Sequence, residues 1–350
     1  MKIFYAVQAT GNGHIARAVA LMPYLQQYGE VDVFLSGSNS NLKVSLPVRY
    51  TSKGVSLFYG NRGGLDYLKM LRNISPLNTF TTARALPVEK YDIVLNDFEC
   101  ITSIACKLKN IPSVNFGHQA SFISNHTPRP QKRELLGEII LKNYANANKY
   151  IGLHFDQYDD FIYSPIIKEN ILNATPKNHG HITVYLSHYS DEVLISYFKK
   201  LPDLHFEVFS KKVTKITQQG NVTLIPIDND AFVKSMIHSS GIITGAGFET
   251  PAEALVLGKK LMCLPIKGQY EQLCNAAALR KFNVPIVHSI NNHFVQSIEN
   301  WMNTENPTKL ILSHTTDDIV SKVIETALSI RKEKNKPTYH YSGFPSLNFE

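Results

Sequence analysis

The residues best suited to chemistry lie between Gly245 and Leu279. Gly245-Ala246-Gly247-Phe248-Glu249-Thr250 follows a short β-branched run, Gly241–Thr244, and opens a helical stretch, so it reads as a strand–turn–helix corner. Glycines let backbone N–H groups approach an anion closely, and a helix N-terminus attracts phosphate. Thr250 can donate its hydroxyl to a phosphate oxygen or serve as a helix cap. Glu253, six residues beyond Gly247, can accept hydrogen bonds from a ribose diol lying along the same helix. Glu271 and Gln272 open the next helix and can read a second set of hydroxyls, as carboxylates and amides do for sugars. Phosphate, ribose and hexose together compose a nucleotide-sugar. Ser187, just past the first strand of the C-terminal half, offers a second wall for the diphosphate. Glu249 would repel a diphosphate unless it points away.

A second glycine loop, Gly11-Asn12-Gly13-His14, follows the first apolar run of the chain. With Ala16 it satisfies the dinucleotide fingerprint G-x-G-x-x-A. That reading needs a carboxylate at the end of the second strand to hold a ribose. The run Asp32–Ser36 ends instead in Ser-Gly-Ser-Asn, which disfavours a nicotinamide cofactor. A Walker loop is excluded, because no Lys-Ser/Thr pair follows the glycines.

The C-terminal pattern G-x-G-x-x-T-x-x-E-A-L (Gly245–Leu255), a strand ending at Pro265, and Gln269-Tyr-Glu-Gln272-x-x-Asn275-Ala276 resembles the donor half of GT-B glycosyltransferases. Within them it is most similar to the branch with the lipid II N-acetylglucosaminyltransferase and the diacylglycerol glycosyltransferases. The segment from Ala9 to Ala18 is similar to that branch's N-terminal glycine loop with its histidine. The two motifs stand in the expected order, about 230 residues apart, and the middle of the chain matches in layout only. The resemblance implies two Rossmann-like α/β domains facing across a cleft. It implies a donor site of Gly13, Ser187, Gly245, Ala246, Gly247, Phe248, Thr250, Glu253, Gln269, Glu271 and Gln272.

The resemblance also implies a catalytic role for His14, at the first turn of a helix directed into the cleft. An inverting transfer needs a base to take the acceptor hydroxyl proton, and imidazole titrates near neutrality. Asp97, ending the Tyr91–Asn96 strand, is the carboxylate best placed to orient that histidine, though it could equally cap the next helix. Gly11, Asn12, Glu99 and His118 complete an expected acceptor side. Asp228-Asn-Asp230 resembles the D-x-D metal motif of the other glycosyltransferase fold, but here it opens a helix, where capping explains it. No metal and no cofactor are expected, the nucleotide-sugar being a substrate.

Elements that would position these residues alternate in β-α order, which implies parallel sheets covered by helices. Strands are expected at Lys2–Gln8, Val31–Ser36, Tyr91–Asn96 and Pro112–Phe116, then at His181–Ser187, His205–Phe209, Val222–Ile225, Gly241–Thr244, Lys260–Leu264 and Val284–Val287. The aperiodic, Pro-containing stretch Tyr163–Gly180 places the domain junction, giving an acceptor-side domain at 1–164 and a nucleotide-sugar domain at 165–332. Residues 333–350 form a tail that could pack back on the first domain. Leu65–Arg72 and Glu134–Tyr144 are amphipathic and read as sheet-covering helices with wet outer faces, or as an acceptor or membrane surface.

Hydrophobic residues make up 43% and charged ones 19% of the chain, as in a globular protein. Four cysteines lack paired or metal-ligand spacing, which argues for core packing in a reducing compartment. The first residues read as a strand rather than a signal peptide, and no apolar run reaches membrane-spanning length. A cytoplasmic enzyme is expected. The net charge of +7 leaves peripheral binding to an anionic membrane open. Nucleic acid is not expected as a partner, since no recognition module is present. The acceptor could be a lipid, a glycan or a small molecule. Two alternatives share this sequence signature: a nucleotide-sugar 2-epimerase or hydrolase on the same scaffold, and a non-catalytic sugar-nucleotide-binding protein.

Overall fold

The computed structural model describes residues 1–9, 11–37, 46–54 and 76–334. They form two parallel-dominated α/β sheets with helices, the two-domain layout expected from the sequence. The first sheet has the order β3-β2-β1-β4-β5-β6-β7, from β1 (Lys2–Gln8), β2 (Glu30–Ser36), β3 (Val48–Ser52), β4 (Ile93–Asp97), β5 (Val114–Gly117), β6 (Lys149–Leu153) and β7 (Ile162–Tyr163), all pairs parallel. Ile3 through Val7 are all fully buried, as expected of a central strand with both faces covered.

The second sheet has the order β10-β11-β9-β8-β12-β13. Its strands are β8 (His181–Tyr185), β9 (His205–Ser210), β10 (Thr217–Gln219), β11 (Val222–Pro226), β12 (Gly241–Thr244) and β13 (Lys260–Cys263). Only β10 runs antiparallel. Residues 284–287, expected as a strand, contribute a single bridge, Ile286 to Cys263, because the chain touches the edge of β13 and leaves it.

Each sheet reverses strand order once at its centre, between β1 and β4 in the first and between β8 and β12 in the second. Ligands of open α/β sheets bind at such switch points, beyond the carboxyl ends of the strands. Val7 pairs with Asp97 and Thr244 with Tyr185, so both glycine loops leave from switch points.

Helices that matter for the site are α1 (Asn12–Leu25), α2 (Pro76–Ala85), α3 (Cys100–Leu108), α4 (Leu135–Asn143), α5 (Glu169–Leu172), α6 (Asp191–Phe198), α7 (Asn229–His238), α8 (Glu249–Val256), α9 (Tyr270–Leu279), α10 (Phe294–Asn303) and α11 (Thr316–Lys334). The last strand of the first sheet ends at Tyr163 and the first of the second begins at His181, so the crossing lies between them.

Two expectations are corrected here. α11, grouped by sequence with the second domain, packs against α1 and beneath β4, β5 and β6, burying Ile319, Val320, Val323, Ile324 and Ala327 there. The chain therefore returns to its first domain by this helix. The tail from 335 onward lies outside the described residues, as does Leu65–Arg72. α4 is not a sheet cover with a wet outer face. It packs on the 3-10 turn His118–Ile123 and on α9, with the ring of Tyr270 lying over Gly137, while Leu135, Leu136 and Ile139 stay exposed. All four cysteines are free and buried. Among the described residues no helix is long and apolar enough to cross a membrane.

Candidate active site

Asp97 ends β4, fully buried, one strand from the loop that carries His14. Its Oδ1 lies 2.9 Å from Nδ1 of His14. Arg17, one turn further along α1, donates from Nε to Oδ2 at 3.0 Å and from a terminal nitrogen to Oδ1 at 2.7 Å and Oδ2 at 2.9 Å. Burial opposes ionisation of this carboxyl, but the Arg17 guanidinium and then His14 outweigh it and bring it down to about 2. The Arg17 terminal nitrogen that reaches Asp97 also lies 3.0 Å from Nδ1 of His14. A carboxylate only accepts and a guanidinium only donates, so bonding to Asp97 puts the imidazole proton on Nδ1 and leaves Nε2 its lone pair, whereas bonding to Arg17 would put it on Nε2. The first is the tautomer a general base needs. Gln119 places its amide nitrogen 3.4 Å from the same Nε2, while its Oε1 is buried without a partner among the described residues. Gly117 makes the arrangement fit, since a Cβ there would stand 2.6 Å from Oδ1 of Asp97.

The second half of the site hangs on α8. Its N-terminus has no side-chain cap, and its first residue is Glu249. The Glu249 carboxylate turns across the cleft, receives a hydrogen bond from the second terminal nitrogen of Arg17, and lies against Gly13. Gly245, Ala246, Gly247 and Phe248 form the turn before it, and Thr250 the second helical position, partly exposed. A Cβ on Gly247 or on Gly11 would meet nothing within 4 Å, so both loops border open space. Asn12 begins α1 beside them. Ser187 is exposed two residues past Tyr185, whose carbonyl accepts from the Thr244 hydroxyl at 3.2 Å.

Several sequence-derived roles change on this geometry. Glu99 is not an acceptor contact: fully buried, it caps α3, accepting from Ile101 N at 2.9 Å and Thr102 N at 2.6 Å. Asp97 is thereby released from capping. His118 is not on the acceptor surface either. Burial lowers its pKa, its Nδ1 bonds the Leu153 carbonyl at 2.9 Å, and its Nε2 bonds Oδ1 of Asn275 at 2.8 Å. Its ring stacks on Phe248 at 3.9 Å, so this pair fastens one domain to the other. Phe248 is accordingly interior rather than open to a donor.

Gln272 does not present its oxygen to a sugar. Oε1 accepts from Ala246 N at 3.2 Å and Ile266 N at 2.9 Å, bracing the glycine turn. Glu253 is buried, and its Oε1 holds the Lys168 ammonium at 3.1 Å, so a ribose would share this carboxylate. Burial raises its pKa against the opposing pull of Lys168. Glu271 remains partly exposed, 3.9 Å from Nε2 of His118. Gln269 precedes α9 with its Oε1 buried and unpartnered among the described residues. Asp228 caps α7 through Ala231 N at 2.8 Å, and no His/Cys/Asp/Glu group among the described residues could hold a metal.

Sequence reasoning missed Arg17, Asn275 and Lys168. Arg17 carried a usable signal, the i, i+3 spacing from His14 that puts both on one face of α1. Asn275 stands in the donor-half motif without a role of its own, and Lys168, which pairs with Glu253, leaves no local trace.

A family model described as glycosyl transferase family 1 matches residues 1–304. Among curated proteins no sequence matches the chain significantly. Solved structures share its fold. Acinetobacter baumannii MurG is 16% identical with a TM-score of 0.53, over 95% of this chain and 99% of that one. S. aureus MnaA, solved with UDP, is 12% identical with a TM-score of 0.60, over 96% and 98%. Arabidopsis thaliana UGT89C1, also solved with UDP, is 11% identical with a TM-score of 0.54, over 95% and 94%.

Proposed function

The chain belongs to glycosyl transferase family 1 and is a glycosyltransferase of GT-B fold, and from that premise we propose that it moves a hexose or N-acetylhexosamine from a UDP-sugar to an acceptor hydroxyl with inversion. One observation carries this reading. The His14 imidazole, oriented by Asp97, and the uncapped N-terminus of α8 meet at one place, joined by the contact of Arg17 with Glu249. The acceptor oxygen gives its proton to Nε2 of His14 as it bonds the anomeric carbon. The bond from that carbon to the diphosphate breaks, and UDP leaves with the electron pair. Backbone N–H groups from Gly247 to Thr250 receive the diphosphate at the helix end. Ser187 and Thr250 flank it with hydroxyls, Glu253 takes the ribose beside Lys168, and Gln269 and Glu271 face the transferred sugar. Helix end and guanidinium supply the positive charge the leaving group needs, so no metal is invoked.

The acceptor side is the N-terminal domain around Gly11 and Asn12. The exposed Leu135, Leu136 and Ile139 stand beside the exposed cations Lys132 and Arg133. Apolar residues rimmed by basic ones fit an anionic bilayer surface, and we include peripheral membrane contact in the proposal.

The test is release of UDP from UDP-sugars, screened first by thermal shift against GDP- and dTDP-sugars, because a ligand of the native state raises Tm. His14→Ala should retain UDP binding and lose about 10²–10⁴-fold in release. Undiminished release by that variant would remove the base from the mechanism. An isomerised sugar formed without any acceptor would replace transfer by epimerisation.

A further inference from the structure

Resting on the donor site just described, we propose that Arg17 is the cation that receives the donor's diphosphate, and that Glu249 holds that place until the donor arrives. Arg17 is the more deeply buried and more heavily bonded of the two. The guanidinium side chain is 2% exposed and spends Nε and one terminal nitrogen on Asp97, whereas the Glu249 side chain, at the first position of α8, is 20% exposed and reaches Arg17 from the other side of the cleft. The remaining nitrogen of Arg17 points across the cleft to the helix end where a phosphate belongs.

Charge decides who must leave. Asp97 and Glu249 together place two carboxylates on one guanidinium, so this centre carries an excess negative charge before any ligand enters. A diphosphate at the glycine turn would add anionic charge beside Glu249. The arrangement is relieved if the carboxylate swings out and a phosphate oxygen takes its hydrogen bond from Arg17. The bare Cα of Gly13 provides the room: a Cβ there would stand 2.5 Å from Oε2 of Glu249, the position the phosphate would inherit.

The exchange has a mechanical consequence. Without donor, Arg17 ties the first domain to the second through a carboxylate; with donor, it does so through the diphosphate. The same guanidinium then neutralises the leaving group as the glycosidic bond to phosphate breaks. Arg17 keeps its proton throughout, since its carboxylate neighbours hold the pKa above that of a free guanidinium despite burial.

Calorimetric titration with UDP and with uridine tests this. Glu249→Gln should tighten UDP about 10-fold, which is about 1.4 kcal/mol, and leave uridine within about twofold, because only the diphosphate competes. An unchanged or weaker UDP affinity in E249Q overturns the proposal. The double variant R17K/E249Q keeps a cation for Asp97 but lacks the second terminal nitrogen, so its UDP affinity should fall back towards wild type. If it keeps the full gain, relief of repulsion alone is at work and Arg17 is not the receiving group. If wild-type protein binds neither ligand, the donor site itself is wrong, a result distinct from the others.

Discussion

Replacing Asp97 by asparagine preserves shape and removes one charge, and the geometry fixes what should follow. Oδ1 accepts from His14 and Arg17, and Oδ2 accepts twice from Arg17. An amide has one oxygen and one NH2 group. If the NH2 stands where Oδ2 is, it meets Nε and a terminal nitrogen of Arg17, donor against donor in a buried site. If it stands where Oδ1 is, it meets that same terminal nitrogen and His14, whose Nδ1 must then accept while Nε2 carries the proton. Either orientation removes the charge and breaks the buried ion pair with Arg17, at a cost of about 3–5 kcal/mol. The second also removes the basic lone pair, and in catalytic triads such a tautomer change costs about 10⁴-fold. The substitution should therefore lower stability by several kcal/mol and, in the second orientation, stop UDP release. Urea unfolding and UDP release read the two effects separately.

A pH series isolates the charge. The Asp97 carboxyl is depressed from 3.8 to about 2 in the fold. A depressed carboxyl contributes stability that is fully present above the unfolded value and is lost as pH falls through the folded one. At 1.36 kcal/mol per pH unit this contribution is on the order of 2 kcal/mol, lost between about pH 4 and pH 2. Wild type should show it and D97N should lack it. A variant within 1 kcal/mol of wild type, with an unchanged acid profile and intact turnover, would refute the buried charge network.

Three further outcomes follow from the same contacts. Gly117→Ala sets a Cβ 2.6 Å from Asp97 Oδ1 and 3.2 Å from Arg17, so it should destabilise by about 1–3 kcal/mol in urea melts and slow UDP release. Glu99→Ala removes the α3 cap, lowering stability by about 0.5–2 kcal/mol while leaving UDP affinity unchanged. A charge-introducing pair, Leu135→Glu with Ile139→Glu, should abolish co-sedimentation with anionic vesicles and leave UDP binding intact, because both side chains are exposed and neither belongs to the donor site.

Much of the fold was legible because its signal is local. β1 and α3 begin and end where apolar period and flanking residues place them, since parallel strands buried on both faces read as unbroken apolar runs. The glycine loops were legible for the same reason: each sits at the end of such a run. The site was less so. Asp97 and Glu99 differ in role because Phe98 adopts a left-handed backbone (φ 55°), which turns Glu99 onto α3 and leaves Asp97 on the strand. Nothing in the residue types announces that turn. His118 and Phe248 look like ligand contacts in sequence, yet with Asn275 they pack one domain on the other, and an interface formed by residues more than a hundred positions apart has no period to detect. The direction of Glu249 belongs to the same class, and so does the return of α11 to the first domain.

The crystal structure of the protein with UDP tests the central claim most directly. The diphosphate should lie against the backbone N–H groups of residues 247–250, with a phosphate oxygen on Arg17 and the Glu249 carboxylate turned out. A nucleotide bound elsewhere, or one that leaves the first turn of α8 empty, would contradict the account.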